Sequence, residues 1–392
     1  MTSTLLGSRT VTPSAAQIEQ TQRAIAAYVQ QIDANPDRRQ GAYPYSLFHP
    51  AGTPILGTVM IFHGFSARPH QMWRLADYLF QNGFNVYQPS IAGHVYLPPS
   101  KHWCQVDLKP EIANPLREKI LQDPVLQLYL ANLAATENFT RPSYTQRMAL
   151  MARLKVLEPN LEQIVASIQG DDDAAFNLFF DSNHMNYLYD AQARLADLDA
   201  MPGDIFAVGL SVGGSVALGI AADRPDRVKK TVVYAPLLEI YGEDRRNYVN
   251  FAGPLDIKEL GWDPNLRFPV GALTAAARFG KSYVLKQTQS LSLVPTLMVL
   301  TENEDAADIE TNQDFFKAIG GQRQGHQLHL YPASDLVPHP MVDPTEVSQG
   351  MSNRFWQSLY QETYRFLKEG EAHLENLEQI AQDEQLPLVP NL

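Results

Sequence analysis

The sequence predicts an α/β protein: an open, mostly parallel, doubly wound sheet flanked by helices, with a helical cap or lid over it. Three observations carry this. Short apolar runs alternate with amphipathic stretches of helical period. A complete strand–helix–strand unit fits within residues 58–89. Two long insertions then interrupt the alternation just beyond strands, at the edge where ligands bind in such sheets.

Residues 14–33 predict a helix, with Ile18, Ile25, Val29 and Ile32 on one stripe and Asn35 and Pro36 ending it. Residues 43–48 predict a strand before a turn punctuated by Pro50, Gly52 and Pro54. A buried strand follows at 58–62 and stops at His63-Gly64-Phe65-Ser66. Pro69 opens a helix with Met72, Leu75, Ala76 and Leu79 on its apolar face, Gly83 closes it, and 84–89 forms the next strand. The unit recurs: a helix near 185–199, a strand at 204–208, a sharp glycine-rich turn and a helix of small residues through Ala222. Strands at 231–234, 296–300 and 326–331 complete the sheet, and a helix bearing Phe355, Leu359 and Phe366 closes the core.

The domain plan follows: an N-terminal helical extension (1–40), a core in three pieces (41–100, 184–237 and 294–369), a helical cap (101–183), a second lid (238–293) and an acidic tail (370–392) expected to be peripheral. With 392 residues, 45% of them hydrophobic, the chain can bury a large core. No stretch is long and apolar enough for a membrane helix, and the N-terminus does not read as a signal peptide. The single cysteine, Cys104, permits no internal disulfide, which together with these features predicts a cytoplasmic protein. A net charge of −12 disfavours nucleic acid as a partner.

Gly209-Leu210-Ser211-Val212-Gly213 fits G-x-S-x-G between a buried strand and a helix of small residues, the setting of a nucleophile elbow. The flanking glycines leave room for a turn that lifts the Ser211 hydroxyl clear of the backbone. His63-Gly64-Phe65 follows the earlier strand, so the N–H groups of Phe65 and Val212 are the candidate donors to a developing oxyanion. A serine nucleophile needs a base and a group that orients it. His339 lies beyond the final strand, and the acidic loop after 296–300 offers Glu302, Glu304, Asp305 and Asp308. Asp305 is the first candidate and Asp308 the next, giving the chain order Ser, Asp, His. His326 and His329 fall in the strand, where histidine is usually structural. His94 is expected to shape its loop and Cys104 to pack. Asp171-Asp172-Asp173 reads as a helix start without metal-ligand spacing, and Asn138-Phe139-Thr140 matters as a sequon only in a secreted protein. No cofactor or metal is required.

These motifs resemble the α/β-hydrolase superfamily. The sequences HGF, GLSVGG, a later acidic residue and a late histidine are most similar to monoacylglycerol-lipase-like and serine-aminopeptidase-like hydrolases, over residues 57–100, 185–237 and 293–369. The resemblance implies a Ser211, Asp305 and His339 triad with Phe65 and Val212 as the oxyanion hole. The chain departs from the family in its long helical insertion between His94 and the helix before Ser211. A serine at 211 argues against the dehalogenase and epoxide-hydrolase branches, which use aspartate. The expected activity is hydrolysis of a carboxylic ester with an apolar, lipid-like or medium-chain acyl part, through an acyl-enzyme. Thioesterase, acyltransferase and small-peptide hydrolase are alternatives on the same triad, and a non-catalytic binding protein is an alternative of another class. Leu128, Tyr129, Leu130, Met148, Met151, Phe176, Phe179, Phe180, Tyr248, Phe251, Trp262 and Phe279 are the apolar residues of the two insertions, able to line a pocket or to pack the lids.

Overall fold

The computed structural model describes residues 10–134, 143–170, 172–240, 256–258 and 266–391. Asn138 to Thr140, Asp171, Tyr248, Phe251 and Trp262 lie outside the described residues.

Seven strands form the central sheet: β1 (Tyr45–Leu47), β2 (Gly57–Phe62), β3 (Phe84–Gln88), β4 (Ile205–Leu210), β5 (Val228–Tyr234), β6 (Thr296–Thr301) and β7 (Gln327–Tyr331). They lie in the order β1-β3-β2-β4-β5-β6-β7, with β1 antiparallel to β3 and every other pairing parallel. β2 and β4, at the middle, are buried along their whole length, which explains their unbroken apolar sequences.

Alternation along these strands sorts the core into two layers. Met60, Phe62, Ala207, Val233 and Met298 face one side. There they meet helices α1 (Ala15–Ala34), α3 (Asn186–Ala196), α4 (Val212–Asp223), α5 (Val270–Ser282) and α6 (Ile309–Ala318). Val59, Ile61, Phe206, Val208 and Val299 face the other side, against α2 (Trp73–Gln81) and α7 (Trp356–Glu369). α1 starts in a capping box between Ser14 and Gln17 and buries Ile18, Ile25 and Ile32. The doubly wound sheet expected from the sequence is therefore present.

The 101–183 insertion stands on a two-stranded ribbon, Val106–Leu108 against Phe180–Ser182, and among the described residues carries five helices from Pro110–Leu121 to Asp173–Phe179. Its inner face, including Leu116, Ile120, Leu154 and Ile164, joins the first core layer without a break. Several apolar residues of the insertions prove to be packing. Phe176 and Phe180 stack on each other, and Phe279 lies in the core between Tyr187 and Tyr283. Tyr129, Met151 and Phe179 are half-buried, whereas Leu128 and Met148 face solvent. α5 joins the two insertions. A Cβ on Gly271 would meet Val106 O at 2.6 Å, and Arg278 pairs with Asp173 while lying over the Phe176 ring.

The acidic C-terminal segment departs from the peripheral tail expected for it. Leu377, Leu386 and Val389 are buried against α2 and α7. The Tyr78 hydroxyl donates to Pro387 O at 2.7 Å, and Gln361 Nε2 donates to Asp383 O at 2.9 Å. Sparse apolar residues in an acidic segment gave no period to read, yet Leu377, Leu386 and Val389 each find a slot while Ile380 and Leu388 face solvent.

Candidate active site

β4 ends at Leu210, and Ser211 turns the chain into α4 with φ 57° and ψ −121°. That is a strained conformation for a residue with a Cβ, costing about 1–3 kcal/mol. The surroundings enforce it. Ser211 N–H donates to Tyr234 O at 2.9 Å, and Ser211 O accepts from Leu237 N–H at 3.0 Å. A Cβ on Gly209 would lie 2.1 Å from Gly213 O, and one on Gly213 would lie 2.3 Å from Phe62 O. The glycines are thus required by close backbone approach, and the second contact presses the serine turn against the end of β2.

Beyond that end, His63 is buried and neutral. Its Nε2 accepts from Ser90 Oγ at 3.1 Å and from Ile91 N–H at 3.3 Å, so Nδ1 carries the proton and donates to Gly64 O at 2.8 Å. Burial pushes its pKa down to about 3. Gly64 O also accepts from Ala67 N–H at 3.2 Å. A planar trans peptide then points the Phe65 N–H the opposite way, and it has no partner among the described residues. The Val212 N–H opens α4 and has no preceding turn to bond. Arg39, buried just after α1, donates to Ser66 O at 2.8 Å and Ala67 O at 2.9 Å, clamping this loop from the N-terminal extension. The Phe65 ring packs edge-on against His94, Trp103 and Phe268. His94 itself is buried, stacked on Trp103, with Nδ1 on Ala92 O at 2.9 Å, in keeping with a loop-shaping role.

His339 follows β7, on a segment that bridges to the β6 loop through Asn303 and Pro338. Its Nδ1 lies 2.6 Å from Glu304 Oε1, in a bent ion-pair contact rather than a straight hydrogen bond. The same oxygen accepts from the N–H groups of Asp305 at 3.1 Å, Ala306 at 2.9 Å and Ala307 at 3.0 Å. Burial alone would lower the His339 pKa, but the negative charge of the adjacent Glu304 carboxylate, helped by Asp305 and Glu346, leaves it raised. Burial would raise Glu304, and the pull of His339 and of the loop amides leaves it lowered.

The carboxylate in contact with the imidazole is Glu304, one residue before the expected Asp305. Asp305 is exposed and accepts from Gln349 Nε2 at 3.0 Å, while its neighbour Glu304 faces the imidazole. The peptide N–H of residue 305 turns back toward the Glu304 carboxylate, at 3.1 Å from Oε1. Asp308 caps α6, accepting from Thr311 N–H at 2.8 Å, and Glu302 accepts from Ala333 N–H at 2.8 Å. His326 accepts from Thr296 N–H at 3.1 Å and His329 packs on Tyr331, both structural. The capping pattern before α6 could have removed Asp308 beforehand; nothing in the sequence separates 304 from 305.

Glu304, Asp305 and His339 bring ligand-type atoms within 4.8 Å of one another. They suit a cation poorly, because Glu304 Oε1 already accepts from three amides. The Ser211 hydroxyl has no hydrogen-bond partner among the described residues, so the expected serine–histidine bond is not formed in this structure. Asp172 caps the helix Asp173–Phe179 through Ala174 N–H at 2.8 Å, as a helix start should.

A serine forced to positive φ between the central strand and its following helix, in a sheet of this order, decides the fold. It is the α/β-hydrolase fold. No family model matches the chain, and no curated protein matches it. Solved structures with the hydrolase fold do match. A metagenome-derived lipolytic enzyme of the LipS and LipT pair is 16% identical, with a TM-score of 0.45 over 75% of this chain and 87% of that one. Monoglyceride lipase from Saccharomyces cerevisiae is 13% identical, with a TM-score of 0.45 over 81% and 88%. Monoacylglycerol lipase from Paleococcus ferrophilus is 13% identical, with a TM-score of 0.43 over 84% and 99%. Likenesses this distant say nothing of chemistry. Among the described residues, no helix is long and apolar enough to cross a membrane.

Proposed function

We propose that this chain is a serine hydrolase that cleaves a carboxylic ester, with Ser211 as nucleophile, His339 as base and Glu304 as the group that orients it. The observation that carries the reading is the enforced φ of 57° at Ser211, on a sheet edge that also holds the paired His339 and Glu304. Strain of that kind persists only where the surroundings over-determine it, and here it sets a serine hydroxyl on a sharp turn at the end of the central strand.

The Ser211 oxygen attacks the ester carbonyl carbon while its proton passes to His339 Nε2. Closing that step requires the hydroxyl and imidazole to draw together as substrate enters, a tightening common in enzymes whose resting hydrogen bonds are long. Glu304 stabilises the imidazolium through Nδ1 and fixes its tautomer. The N–H groups of Phe65 and Val212 receive the oxyanion. His339 then gives its proton to the leaving alkoxide as the carbon–oxygen bond breaks. Water, deprotonated by the same imidazole, releases the acid and restores Ser211. No step runs through a metal or cofactor.

The acyl part is assigned as apolar, of lipid-like or medium chain length. Supporting this, Phe65 and, in the cap itself, Tyr129, Met151 and Phe179 are half-buried against the first core layer. The test is a panel of p-nitrophenyl esters from acetate to palmitate, with a thioester and an anilide alongside, for wild type and Ser211→Ala. We expect best turnover at intermediate or longer acyl esters, and a loss of roughly 10⁴-fold or more in Ser211→Ala. Turnover of acetate alone would remove the apolar assignment. A folded wild type that neither turns over any substrate nor takes a fluorophosphonate label would favour a binding protein.

A further inference from the structure

One side chain joins the loop that carries Phe65 to the loop that carries His339. Gln71 is buried in the turn Pro69–Met72 that precedes α2. Its Oε1 accepts from Gly64 N–H at 2.8 Å, and its Nε2 donates to Glu346 Oε2 at 3.0 Å. The carboxamide has no freedom to flip, because the Gly64 N–H can only donate and must face the oxygen. The fit is close: a Cβ on Gly64 would lie 3.1 Å from Gln71 Oε1. Glu346 stands on the same segment as His339 and interacts with it electrostatically. A second tie runs beside the first, with Arg74 Nε 3.6 Å from Asp343 Oδ1, and Asp343 Oδ1 accepts from Thr345 N–H at 2.8 Å. Burial pushes Glu346 up to about 8, so at neutral pH it is mostly an uncharged acid whose Oε2 still accepts from Gln71. None of these groups was visible as a site in the sequence.

We propose that Gln71 is a positioning residue that sets the Phe65 donor against His339, with Glu346 as its anchor on the histidine loop. The proposal rests on the serine-hydrolase reading above. Catalysis needs the oxyanion donors and the base fixed in one frame, and small displacements are costly. The two groups come from loops far apart in the chain. β2 positions one and β7 the other, and these strands are separated in the sheet by β4, β5 and β6. The Gly64–Gln71–Glu346 chain bridges that separation directly.

The experiment is hydrolysis of p-nitrophenyl butyrate by the full chain, comparing wild type with Gln71→Ala, Glu346→Ala, Glu346→Gln and the double alanine variant. Gln71→Ala and Glu346→Ala should each lower kcat roughly tenfold to a hundredfold with little change in KM. The double variant should be no slower than the slower single one, since both break the same bridge. Glu346→Gln keeps an acceptor for Nε2 and should lose far less than Glu346→Ala. Should Gln71→Ala fail to fold, Gln71→Glu serves instead, keeping the acceptor for Gly64 and losing the donor to Glu346. Wild-type kcat in the Gln71 variant, or additive losses in the double, overturns the positioning role. Ser211→Ala separates the two claims: if it is inactive while the Gln71 variant is not slowed, only the positioning role falls, and if it stays active the serine reading falls.

Discussion

The serine turn and the histidine loop follow strands that end at the same edge of the sheet but are held by different means. At Ser211 the backbone itself is the constraint: Gly209, Gly213 and Phe62 approach so closely that no side chain fits between them. Around His339 the backbone is looser, and side chains do the holding, with Glu304 wrapped by three amides and Gln71 reaching across to Glu346. Steric constraints fail all at once, whereas a hydrogen-bonded loop degrades one contact at a time. Substitutions on the two sides should therefore differ in kind.

The largest effect should come from Gly213→Ala. Its Cβ would sit 2.3 Å from Phe62 O and 2.5 Å from His63 O, both backbone atoms of the central sheet region. A loss of more than about 4 kcal/mol in urea unfolding, or no folded protein, is expected. A stable, active Gly213→Ala variant would show that the turn is softer than its geometry implies. Next is Glu304→Gln, which should fold but lose about 10⁴-fold in kcat, because the imidazolium would lack its counter-charge and its fixed tautomer.

The same pair predicts a pH profile. His339 must be neutral to accept a proton, and Glu304 raises its pKa above the ordinary histidine range against the effect of burial. Hydrolysis should accordingly climb as pH rises through a midpoint above that of an ordinary histidine, and fall away on the acid side. Removing the Glu304 charge should move that midpoint down, measurable as kcat/KM across pH in the residual activity of the glutamine variant. The smallest effect belongs to Asp305→Asn. Its exposed carboxylate contributes only a screened charge, so kcat/KM should change by no more than roughly threefold. A collapse of activity in Asp305→Asn, with Glu304→Gln unaffected, would reverse the assignment of the acid.

The same contrast explains what could be read from the sequence. The turn at Ser211 is a local pattern of glycines between a buried strand and a helix, so it was legible, as were the six core strands from Gly57–Phe62 to Gln327–Tyr331. Alternation and helical period report burial directly, and burial decides those elements. The acid was not legible, since residues 304 and 305 are adjacent carboxylates and only the path of the backbone tells which one turns inward. Arg39, Gln71 and Glu346 escaped for another reason: each acts through a partner distant in sequence. The docking of Leu377, Leu386 and Val389 was hidden likewise, because their spacing in an acidic stretch makes no period.

Arg39 has one more consequence. Its guanidinium cannot lose its charge at any pH a folded protein survives, and it lies under the loop next to His63 and within electrostatic range of His94. Burial drives both imidazoles far toward the neutral form, and this permanent cation pushes them further the same way. Residues 63 and 94 thus stay silent as acidity changes, whereas residue 339, beside Glu304, responds.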